Sequence, residues 1–146
     1  MPISMQKPLS ASLQPLKPNA RRRNSRNMGN RNTDHRIERG EIYWVELDPT
    51  RGSEISKTRP CVALSAVEIN QHRNTVVVIP LTTTVSPAVP PLLVATPSAG
   101  ESSKARIEHI RAVDKTRLQR KIGNLAAHDL SAVENALRVV LRLPKD

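Results

Sequence analysis

RGEIYWVELDPTRGSEISKTRP, residues 39–60, decides how the chain is read. Its first part, Glu41–Leu47, is an apolar strand with Ile42, Trp44 and Leu47 near a two-residue period, and it stops at Asp48-Pro49. A polar loop with Arg51, Gly52, Ser53, Glu54 and Lys57 follows, running through Arg59 into a second apolar strand, Pro60–Ala66. A short loop of opposed charges pinned between two buried strands suits the capture of an anionic group in fixed geometry. Gly52 and Ser53 let such a loop close on its ligand.

Beyond this stretch, Thr75–Pro80 is a continuous Val-rich run, the pattern of a buried strand. Val67–Arg73 reads as a short helical turn, and Ser86–Pro91, with three prolines, as a loop. Leu92–Thr96 and Lys104–Ile110 read as further strands. Near the C-terminus, Leu130, Val133, Leu137, Val140 and Leu141 fall on one face of a helix that Pro144 ends. Asp129 in its first turn and Arg138 and Arg142 in its last suit the helix dipole. Ala126-Ala127 offer no side-chain cap, which leaves that task to His128 or Asp129 and predicts a soft N-terminal end. The class is β-rich α+β, mostly antiparallel.

With 146 residues the chain fits one modest core, built from Val, Ile, Leu and Ala because Tyr43 and Trp44 are its only aromatics. That scarcity argues against an aromatic platform for stacking bases. The lone cysteine, Cys61, cannot form an internal disulfide and reads as a small buried hydrophobe in a reducing compartment. No apolar run approaches the roughly 20 residues that span a bilayer, and no secretory signal is visible, so a soluble cytoplasmic protein without membrane contacts is expected.

The net charge of +10 is unevenly spread. Residues 1–36 hold eight Lys/Arg against Asp34 alone, whereas residues 37–146 hold 15 against 12. The expected organisation is therefore a basic, disordered extension over 1–36 and a folded domain over 37–146. Three readings of RRRNSRNMGNRN (residues 21–32) stay open: an RNA-binding arm, a translated upstream segment with the natural start at Met28, or a transit-type peptide.

Taken in order, residues 39–60, VVVIPLTTT (Val76–Thr84) and RIEHIRAVDKTRL (Arg106–Leu118) resemble the MazF/PemK/Kid family of bacterial toxins, over roughly Arg39–Leu141. The resemblance implies a small SH3-like antiparallel barrel with a C-terminal amphipathic helix. It also implies a sequence-specific, metal-independent endoribonuclease that cuts single-stranded RNA, works as a homodimer and is restrained by a cognate antitoxin protein. Two rivals share the sequence features: a non-catalytic toxin on the same barrel that poisons a topoisomerase, and a basic RNA-binding module. The joint presence of Arg59, Thr82 and Arg106 favours the enzyme.

Metal-free RNA cleavage needs a group to accept the 2′-OH proton, a proton donor for the 5′ oxygen and a fixed cation for the phosphorane. The sequence supplies these types, while its four histidines, at 35, 72, 109 and 128, are scattered and no metal or cofactor motif is visible. Arg59 matches the family's TRP-type arginine, and its planar fork suits a phosphate; an ion pair with Glu54 is the plainer alternative. Thr82 matches the family's active-site threonine, against an ordinary strand-end threonine. Arg106 and Glu108 flank Ile107, so on a strand both face one way. They align with the arginine and aspartate that PemK/Kid members use for acid–base catalysis, with Glu in place of Asp; a wet-face ion pair is the alternative. A guanidinium does not release its proton at working pH, so Arg106 reads as a charge stabiliser. Arg51, Ser53, Glu54, Lys57, His109 and Arg111 complete the expected RNA-binding set. Two of these depart from the family: Ser53 stands where members can carry a catalytic His, and His109 where they commonly carry Gln. On a regular strand His109 turns away from Glu108, toward a core or an interface. The loops Arg51–Lys57 and Ser86–Pro91 are the expected base readers.

Overall fold

The computed structural model describes residues 36–54 and 57–145, in seven strands and two α-helices. The basic extension expected over 1–36 lies, Arg36 apart, outside the described residues. In chain order the elements are β1 (Glu41–Glu46), β2 (Thr58–Ala63), α1 (Val67–His72), β3 (Thr75–Thr82), β4 (Leu93–Ala95), β5 (Lys104–Arg106), β6 (Arg111–Asp114), β7 (Leu118–Asn124) and α2 (Ala127–Leu141). Single 3-10 turns lie at Pro97–Ala99, Ile107–His109 and Lys115–Arg117.

All strand pairs are antiparallel, in the order β4-β5-β3-β2-β1-β7, with β6 also on β3. Along one edge β3 changes neighbour: Thr75–Val78 pair with β6, and Leu81 and Thr82 pair with β5. Ile79 and Pro80 fall in the gap, so the amide that Pro80 lacks is not missed there. Five strands, β6-β3-β2-β1-β7, thus begin and end on consecutive elements. Laid flat, the end strands would stand about 19 Å apart at about 4.8 Å per strand. The Lys115–Arg117 turn between them spans at most about 14 Å even when fully extended. The sheet must curl, as the SH3-like expectation requires. It is not closed, because among the described residues no ladder joins β6 to β7.

Both faces of the curl are covered. Inside lie Tyr43, Val45, Leu47, Cys61, Ala63, Val76, Val78 and Val113, with Ile37 and Leu118 packed against them. Outside lie Ile42, Val62, Ile79, Leu81, Val94, Ala105, Ile107 and Leu125, covered by Val133 and Ala136 of α2. A strand buried on both faces loses its alternation, and β1 departs from the expected period accordingly. Ile42 and Leu47 belong to different cores and Trp44 is only half-buried. β7 goes unrecognised in the sequence for the opposite reason: LQRKIGN is largely exposed, with no apolar set to betray it.

In α2, Leu130, Leu137 and Val140 line the core as expected, but Leu141 is exposed and the buried Ala136 takes part instead. Its N-cap residue, Ala126, makes no side-chain cap bond, as expected, but a neighbouring element holds that end. Ser98, from the Pro97–Ala99 turn, accepts a hydrogen bond from the Ala126 amide at 2.9 Å. The same residue donates from its amide and hydroxyl to the Asp129 carboxylate at 2.8 and 2.5 Å. The cap comes from another element, which local sequence cannot announce.

Glu41 ties β1 to β7. Its buried carboxylate accepts from Tyr43 Oη at 2.8 Å, the Glu38 amide at 3.0 Å and Lys121 Nζ at 3.1 Å. Burial alone would raise its pKa, but these donors outweigh it and hold the carboxyl below its ordinary value of 4.5. A carboxyl depressed in the folded state stabilises fully above its unfolded value and loses that contribution as pH falls through the folded one. Tyr43→Phe should cost about 1.5–3 kcal/mol at pH 7, as for a hydrogen bond to a charged group. It should also reduce the stability lost between pH 7 and pH 3 in urea unfolding. An unchanged acid loss would show that the phenol does not support this carboxylate.

Candidate functional site

Inside the curl the apolar core runs out toward one end, and along each strand the next residue on that face is polar. On β2, Arg59 precedes Cys61 by two residues. On β3, Thr82 continues the face of Val76 and Val78. On β6, Arg111 precedes Val113 by two. On β5, Ala105 belongs to the outer core opposite Leu81, so Lys104 and Arg106 take the same side as Thr82. Extending the Cys61↔Pro80 register by two residues sets Arg59 beside Thr82. One face of one sheet therefore presents Arg59, Thr82, Lys104, Arg106 and Arg111.

Next to this face opens a cleft of about 430 Å³ lined by Ser53, Glu54, Glu108, His109, Ile110 and Arg111. The β1–β2 loop provides the first two residues. The segment joining β5 to β6, with the first residue of β6, provides the rest. The strand expected over Lys104–Ile110 is cut to its first three residues: β5 stops at Arg106, and Ile107–His109 form a 3-10 turn. Such a turn has three residues per turn, so the alternation expected of Glu108 and His109 does not hold. Instead of facing opposite ways, both line the same cleft.

Of the ten residues singled out from the sequence, Ser53, Glu54, Glu108, His109 and Arg111 meet in the cleft, and Arg59, Thr82 and Arg106 share the adjoining sheet face. Arg51 and Lys57 are exposed and line neither. They shape the loop through their backbones: the Arg51 amide donates to the Glu54 carboxylate at 2.7 Å, and the Lys57 amide to Asp48 Oδ1 at 3.0 Å. Lys57 does so in a left-handed conformation, φ 69°. Two arginines hold the base of this loop by its carbonyls. Arg111 donates to Leu47 O at 3.3 Å, and Arg117 to Glu46 O at 3.0 Å and also to Asp48 O. Sequence reasoning misses Ile110, Lys104 and Arg117. Of these Lys104 is legible there, two residues before Arg106 on one strand.

Cys61 lies fully buried beneath the site. Burial pushes its thiol up to about 12, against the opposing pull of the Arg111 and Arg59 charges. It stays a protonated core residue, not a nucleophile. Among the described residues no group of three or more His, Cys, Asp or Glu is placed to hold a metal ion.

The family model for the PemK-like, MazF-like toxin of type II toxin-antitoxin systems matches residues 38–141. Endoribonuclease MazF9 of Mycobacterium tuberculosis is 36% identical over 115 residues, covering 73% of this chain and 98% of that protein. The crystal structure of MazF from Deinococcus radiodurans superposes with a TM-score of 0.68 at 24% identity, over 75% of this chain and 100% of the other. An endoribonuclease from a mycobacterial species in complex with its cognate antitoxin superposes at 0.62 and 24% identity, over 77% and 99%. The structures speak for the fold. With the family model spanning most of the folded region and the mycobacterial relative aligned over nearly its whole length, this chain belongs to the PemK-like, MazF-like toxins of type II toxin–antitoxin systems.

Proposed function

We propose that the chain is an endoribonuclease toxin that cuts single-stranded RNA through attack of the 2′-OH on its own adjacent phosphorus. The observation that carries this reading is the convergence of Arg59, Thr82 and Arg106 on one sheet face, beside a cleft that holds Glu108 and His109 together. In this reading Arg59 and Arg106 bind the scissile phosphate and offset the charge gathering on the phosphorane. The Thr82 hydroxyl bonds a phosphate oxygen. Glu108 accepts the 2′-OH proton, and His109 gives a proton to the departing 5′ oxygen. The products are a 2′,3′-cyclic phosphate and a 5′-OH. Ser53, Glu54 and Arg111 line the cleft for the neighbouring nucleotide. Family membership supports a small antitoxin protein as the restraining partner, and the resemblance supports a homodimer. The rival readings, a topoisomerase poison or a general RNA-binding module, have no need of a carboxylate and an imidazole in one cleft beside Arg59, Thr82 and Arg106. No helix among the described residues is long and apolar enough to cross a membrane.

Incubating the purified protein with a long RNA in EDTA, then mapping the ends, tests the reaction. Cyclic phosphate and 5′-OH ends are expected. Activity abolished by EDTA and restored by magnesium would overturn the mechanism.

Arg59→Lys should lower kcat/KM nearly as far as Arg59→Ala, on the order of 10²–10³-fold, because a point charge cannot replace a two-pronged contact. Near-normal turnover of the lysine variant would make Arg59 a structural residue.

The assignment of base and acid predicts a bell-shaped pH profile, since a base must be deprotonated and an acid protonated. Glu108→Gln should abolish cleavage while RNA binding persists. His109→Gln should lower the rate and remove the alkaline limb of the kcat/KM profile. An alkaline limb that survives this substitution would take the acid role from His109.

A further inference from the structure

β3 and β4 lie on opposite sides of β5, so the segment between them, residues 83–92, must carry the chain across that strand. It leaves beside Lys104, the register partner of Thr82, and returns at Leu93, the register partner of Arg106. The Lys104 ammonium reaches the departing segment and donates to Thr84 O at 3.0 Å. It also donates to Ser102 O at 3.3 Å, which ties the segment to the turn before β5. Beyond that clamp the segment is held by Thr84 Oγ1, which accepts from the Ser86 amide at 3.2 Å, and by a bridge between Val89 and Leu93. Val85, between the clamp and the bridge, is 96% exposed. An apolar side chain in solvent three residues after Thr82 is available to the face of a base.

We propose that Lys104 is a positioning residue for base preference: by fixing the Thr83–Leu92 segment beside Thr82 and Arg106, it sets which nucleotide is accepted next to the cut. The inference rests on the nuclease reading. Two of the three donors of the Lys104 ammonium are spent on the carbonyls of Thr84 and Ser102, so its proposed effect on the RNA runs chiefly through the backbone it holds. Removing the charge while keeping the apolar stem leaves the strand pairing intact but releases Thr84.

The test compares wild-type, Lys104→Met and Lys104→Arg on a set of RNAs that differ only in the bases flanking the cut, with amide hydrogen exchange followed over residues 83–92. Lys104→Met should exchange faster in that segment. Its kcat/KM on the preferred RNA should fall by up to about 10²-fold, as when a reacting group is misplaced by about 1 Å. On disfavoured RNAs the change should be small, so that discrimination collapses. Lys104→Arg, which can still bond both carbonyls, should restore most of it. Faster exchange with unchanged discrimination would overturn the inference, and so would unchanged exchange. A uniform loss on every RNA would also overturn it, as it would mark Lys104 as a plain contributor to binding or folding. A wild-type protein that cuts none of the RNAs would instead remove the nuclease reading, and this inference with it.

Discussion

β3 has more edge than any one neighbour can fill. On one edge its eight residues meet β6 at one end and β5 at the other, and the chain has to pass from β5 to β6 across Ile79-Pro80, which neither of them pairs. That passage is too short for a strand to continue, and it tightens into the Ile107–His109 turn. Ile107 goes inward to the outer core, fully buried, and anchors the turn. Glu108 and His109 are left to project beside the polar end of β3. A proline in β3 and a buried isoleucine in the turn thus place the two proton-transfer candidates in one cleft.

The charges are arranged so that binding surface and fold draw on different groups. Glu41 and Asp129, the buried carboxylates, are committed to Tyr43, Lys121 and Ser98, none of which lines the cleft. The arginines at the site are only partly buried. Arg111 and Arg117 spend donors on the carbonyls at the base of the β1–β2 loop, so that the loop is held by neutral acceptors that do not cancel the local positive charge. A face that stays electropositive after its arginines have done structural work is suited to a polyanion.

Much of this is legible in the sequence, and the reasons for the rest are specific. The strands carrying Arg59 and Thr82 announce themselves as apolar runs, and the amphipathic period of α2 marks its core-facing side apart from Leu141. β6 and β7 escape a sequence reading, because one is four residues long and the other is largely solvent-exposed. The cap of α2 comes from Ser98, 28 residues before the amide it receives. Most instructive is the stretch after Arg106. IEHI has the alternation of a strand, and only the need to leave β5 for β6 converts it to a turn. Local pattern and global path disagree there, and such disagreements are expected at functional sites.

The spacing of the strands fits the phosphate-binding role proposed for the two arginines. β2, β3 and β5 are neighbours in that order, so Arg59 and Arg106 stand on strands about 10 Å apart with Thr82 on the strand between them. A phosphate resting over Thr82 is then about 5 Å, one strand spacing, to the side of either backbone. A guanidinium on a three-carbon stem can cover that offset and still present its fork. On the inner face of a curled sheet, side chains of neighbouring strands converge, which brings both within reach of one phosphate. Flattening the sheet would separate the arginines. The Arg111 and Arg117 bonds to Glu46, Leu47 and Asp48 resist this, because they join β6 and the turn after it to the end of β1 across the open seam of the curl.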